Sequence, residues 1–73
     1  MTYIIIEMQT TNGVTAVVPP VSYTNKDRAE AAYHTALAAA AVSNVQEHAV
    51  VMLQDSGELV KKECYYHFSE AAV

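Results

Sequence analysis

The dipeptide Asn12-Gly13 constrains this chain more than any other feature, because it stands between two runs of β-branched residues. Asn and Gly most readily adopt the positive φ that both central positions of a type I′ hairpin turn require. Before the turn, Tyr3 to Gln9 contains Ile4, Ile5 and Ile6, which are stiff at χ1 and suit a pleated strand. After it, Val14 to Val18 supplies the returning strand. An antiparallel hairpin is therefore predicted at the start of the chain.

Pro19-Pro20 is expected to end the second strand, since neither residue donates a ladder hydrogen bond and each restricts its predecessor. Thr24-Asn25-Lys26-Asp27 then resembles a capping box with Asp in place of Glu, with the Thr24 hydroxyl as acceptor. A helix is predicted from about Asn25 to about Val42, with Ala29, Ala32, Tyr33, Ala36, Leu37 and Ala40 on its buried face. Only Tyr33 and Leu37 are large, so this helix is suited to close packing rather than to deep burial. Ser43-Asn44 marks its end, His48 to Leu53 reads as a third strand, Asp55-Ser56-Gly57 as a turn, and Leu59 to His67 as a fourth strand. The predicted class is α+β: a ββαββ chain whose four-stranded, mainly antiparallel sheet carries one Ala-rich helix on one face. Residues 1–67 would form the single domain and residues 68–73 a frayed C-terminal tail.

Ile4-Ile5-Ile6 and Val50-Val51-Met52-Leu53 are apolar on both strand faces, whereas a sheet covered on one side should alternate. Those strands are expected to be central, in the order 2-1-3-4. Their second face either meets another copy of the chain or is tolerated apolar surface. A chain of 73 residues with a single cysteine has no internal disulfide to reinforce it. Domains of this size bury only about 60% of their unfolded surface. Association is the expected reinforcement.

Four basic against eight acidic residues give a formal net charge of −4, which argues against a surface built to neutralise nucleic acid or an anionic membrane. No apolar run reaches the length of a membrane span, and the segment from Met1 to Gln9 lacks the basic start of a secretory signal. A cytoplasmic location is expected, and a lone cysteine fits a reducing compartment.

Cys64 and His67, with His34 and His48, are the available soft or imidazole ligands, but residues three apart on a strand point to opposite faces, so no metal site is predicted. Glu30 and His34 lie four apart on the helix and can touch, and with Glu7 they are the residues that a minimal hydrolase would use. No nucleophile elbow or phosphate-cradling loop accompanies them, and neither catalytic residues nor a cofactor are predicted. The most site-like stretch is Tyr65-Tyr66-His67 following Lys61-Lys62. Tyr33, Lys61, Tyr65 and His67 are the candidate ligand-binding residues, converging across a subunit interface to stack on a base and pair with a phosphate. The plainer alternative has Cys64 and Tyr66 facing the core while Lys61, Glu63, Tyr65 and His67 form an ordinary exposed strand face.

The segments Tyr3-Ile4-Ile5-Ile6-Glu7-Met8-Gln9, Asp27-Arg28-Ala29-Glu30-Ala31-Ala32-Tyr33-His34, Ala38 to Ser43 and Lys62-Glu63-Cys64-Tyr65, in this order, resemble a group of small proteins encoded by phages and prophages of gut Firmicutes. The likeness spans nearly the whole chain and brings no catalytic or binding residues with it. It implies a phage accessory protein in the host cell. The expected function is a non-enzymatic, homo-oligomeric binding module that counters host defence by holding a small nucleotide signal or a defence protein. The alternative is an accessory protein of particle structure or assembly.

Overall fold

A computed structural model describes residues 1–67 and gives the order β1 (Tyr3–Thr11), β2 (Val14–Tyr23), α1 (Lys26–Ala41), β3 (Glu47–Gln54) and β4 (Leu59–Tyr66). The strands form one antiparallel sheet in the order β2-β1-β3-β4, with α1 packed on one face. This is the predicted α+β, ββαββ fold, with both fully apolar strands in the middle. The expected fraying of residues 68–73 lies outside the described residues. No helix among the described residues is long and apolar enough to cross a membrane.

The first hairpin closes as Asn12-Gly13 dictates, with φ of 52° at Asn12 and 79° at Gly13. Gln46 ties this turn to the entry of β3: its Oε1 accepts from the Asn12 amide at 2.8 Å, and its Nε2 donates to Asn12 Oδ1 at 3.3 Å.

Two local expectations are corrected. Pro19-Pro20 does not end β2, which continues to Tyr23 through a bulge: Ile5 pairs with Val21 and Glu7 with Val18, so the prolines lie within the irregularity. β2 is an edge strand, and a bulge on an edge is where missing amide donors cost least. The helix is capped by Asn25 rather than Thr24. Asn25 is extended, its Oδ1 accepts from the Arg28 amide at 3.1 Å, and the helix begins at Lys26.

The core lies between α1 and the two central strands. Ile5, Ala29, Tyr33, Ala40, Val50 and Met52 are buried, and Ala32, Ala36 and Leu37 pack against them. The predicted helix face is thus the packed face. Burying side chains such as Val50 and Met52 stabilises the fold by about 1.5–3 kcal/mol each relative to exposure.

A second bulge decides what β4 shows to each side. Leu53 pairs with Leu59 but Met52 pairs with Lys61, leaving Val60 as the extra residue. Beyond it, Lys61, Glu63 and Tyr65 register with Met52, Val50 and His48 on the helix side, and Lys62, Cys64 and Tyr66 share the opposite face with Val51, Ala49 and Glu47. The plainer alternative considered for this strand, with Cys64 and Tyr66 turned to the core, is therefore inverted.

Candidate functional site

Three places carry polar chemistry or unsatisfied surface. The first is the seam between α1 and β4, where the four candidate residues Tyr33, Lys61, Tyr65 and His67 lie within one chain. Tyr33 is only 3% exposed, and the Lys61 ammonium lies 5.9 Å from its ring centroid. Lys61 Nζ also donates to Glu30 Oε1 at 2.6 Å, and that same oxygen is 3.6 Å from His34 Nε2. The hydrogen-bonded ammonium of Lys61 holds the Glu30 carboxyl below its ordinary range, while burial first of all pushes the Tyr33 phenol up. Tyr65 packs against the core, and His67 Nε2 donates to the Ala40 carbonyl at 2.9 Å, capping the helix end. The seam brings Tyr33 and Lys61 together, but its charge, its ring and its imidazole already have partners in the chain.

The second place is a polar relay that sequence reasoning did not assemble. His48 is 4% exposed on the helix side of β3, with Val50 and Met52. Its Nε2–H donates to Glu7 Oε2, and its Nδ1 is 2.9 Å from Ser43 Oγ, just beyond the helix. Ser43 Oγ in turn reaches the Ala40 carbonyl at 3.2 Å. The connectivity of hydroxyl, imidazole and carboxylate resembles a nucleophile chain. Its setting does not suit one. Ser43 follows the C-terminus of α1, where helix carbonyls and the negative dipole end gather. A developing oxyanion needs donors there instead. The relay reads as a buried polar tie between β1, β3 and the helix end. A His alternating with Val50 and Met52 on an otherwise apolar strand face was the signal that could have marked it.

The third place is apolar. On the sheet face opposite α1, Ile4, Ile6 and Met8 of β1 register with Leu53, Val51 and Ala49 of β3, and Val17 and Leu59 flank them. No element among the described residues covers this face. Val17 is 57% exposed and Leu59 47%. Cys64 lies there too, and its thiol is the first of the influences that raise the Tyr66 phenol. Cys64 and His67 do not converge, and among the described residues no group of three His, Cys, Asp or Glu side chains could hold a metal ion.

Comparison with known proteins found no matching family model, no similar curated protein and no similar solved structure.

Proposed function

We propose that this chain is a non-enzymatic, homo-oligomeric binding module whose copies join through the open sheet face. The observation that supports this reading is the uncovered patch of Ile4, Ile6, Met8, Val51 and Leu53 on the two central strands. At ~4.8 Å between strands and ~3.3 Å per residue, the whole four-stranded face, with Thr10, Glu47 and Lys62 around the apolar residues, measures roughly 600 Å² in plan, the order of the ~800 Å² that each partner of a standard interface buries. An apolar patch at the upper end of what monomeric proteins expose marks a surface suited to a partner.

The resemblance to phage-encoded proteins supports a setting in the bacterial host cytoplasm, with counter-defence binding as the task. Between the two targets considered, the geometry favours a defence protein over a nucleotide signal. Tyr33 is buried, Tyr65 packs against the core, and Lys61 and His67 are bonded internally, which leaves the four candidate residues ill placed to stack on a base and pair with a phosphate. The test is to place a charge on the open face. Ile6→Lys or Val51→Lys should lower the solution mass to that of one chain while leaving far-UV circular dichroism unchanged. A mass unaffected by both substitutions would overturn the interface, and co-sedimentation with phage particles would indicate the assembly role instead.

A further inference from the structure

On the helix side, α1 lies mainly over β3 and β1 and leaves part of β2 uncovered. The result is a half-open groove of about 150 Å³, with Ile5 and Glu7 as its floor and Val18, Val21, Ala32 and Ala36 among its walls. It exists because Ala32 and Ala36 are small and because the Pro19-Pro20 bulge puts Val18 and Val21 on the same side. Val18 and Val21 remain 37% and 51% exposed. Glu7 is the one ionisable residue in the lining besides the phenol of Tyr23.

Among the described residues, His48 Nε2 and Gln9 Nε2 both donate to Oε2 of the Glu7 carboxylate. Oε1 has no hydrogen-bond partner among the described residues, and no lysine or arginine pairs with Glu7 there. An apolar trough with a single carboxylate in its lining, one oxygen of which has no hydrogen-bond partner among the described residues, complements an alkyl stem ending in a cation. One free oxygen fits the point charge of an ammonium, whereas a guanidinium fork uses two. The volume is below the ~300 Å³ at which drug-sized pockets begin, so the occupant is a single side chain rather than a whole ligand.

We infer that this groove receives one lysine side chain of a protein partner, its stem lying on Val18, Val21 and Ala36 and its ammonium on Glu7 Oε1. The inference rests on the binding-module reading but not on oligomerisation, since the groove and the open face lie on opposite sides of the sheet. Failure of one leaves the other intact.

The experiment is a titration of the full chain with Nα-acetyl-lysine amide, followed by NMR of the Val18, Val21 and Ala36 methyl groups, with the norleucine and arginine counterparts run alongside. For so small a probe the expected Kd is roughly 1–10 mM. The lysine probe should shift these methyls saturably, and the other two should bind at least about tenfold more weakly, as loss of a charge-assisted bond implies. Glu7→Gln, which keeps an acceptor for His48, should reduce lysine binding by a similar factor. Ala36→Met, which fills the trough and leaves Glu7 alone, should abolish the shifts and provides the test if Glu7→Gln fails to fold. Norleucine binding as tight as lysine, lysine shifts that survive Ala36→Met, or no shifts at all would overturn the assignment. A single-chain solution mass with lysine binding retained would remove the oligomer while upholding the groove.

Discussion

His48 joins residues 41 positions apart on β1 and β3 and, through Ser43, fastens the helix end to both. His48→Leu keeps most of the volume but strands the Glu7 carboxylate without its buried donor. It should destabilise the protein by about 2–4 kcal/mol in urea titrations, whereas Ser43→Ala should cost about 1 kcal/mol. The Glu30 carboxyl behaves differently because it is near the surface. Its folded pKa is depressed by the Lys61 hydrogen bond, so its contribution is fully present above about 4.5 and is lost as pH falls through the lower folded value. Thermal melts of Lys61→Met should accordingly show a flatter loss of stability on the acid side of pH 4.5 than the parent, with the difference between the two, small because the pair is near the surface, largest at pH 7 and closing as pH falls. The relay was illegible in the sequence for a physical reason: local spacing reveals partners on one helix, such as Glu30 and His34, but Glu7 meets His48 only once strand register is fixed.

At the scale of elements, what could be read was whatever local sterics decide. Asn12-Gly13 determines the first hairpin, and a Cβ on Gly13 would meet nothing within 4 Å, so the cost of Gly13→Ala is conformational alone. With φ at 79°, that substitution should lose roughly 1–2 kcal/mol in chemical denaturation without changing the fold. The helix face was equally legible, because Ala29, Tyr33 and Ala40 recur with the helical period. The bulges were not. Pro19-Pro20 is a stop signal when donors are needed on both sides, but on an edge strand β2 needs them on one side only, and the strand continues. Val60 carries no local mark as the extra residue of β4, yet that single insertion exchanges the faces of Lys61 and Cys64. The candidate residues Lys61, Tyr65 and His67 were thus chosen for their chemistry, and their side of the sheet was fixed by an irregularity that spacing alone does not show.

For the whole molecule, the continuous apolar runs of β1 and β3 implied central strands, and the order β2-β1-β3-β4 agrees. Among the described residues, a single 16-residue helix covers one face of that sheet and leaves the other to Ile4, Ile6, Met8, Val51 and Leu53. The asymmetry is what the proposed assembly explains: a small chain with one cysteine gains by association the burial that one helix cannot supply. The measurement that bears on it most directly is the solution mass of the unsubstituted protein by light scattering across a dilution series. A mass at a whole multiple of the 7.9 kDa chain, falling toward one chain only on strong dilution, is the predicted result. A mass of one chain at every concentration would contradict it.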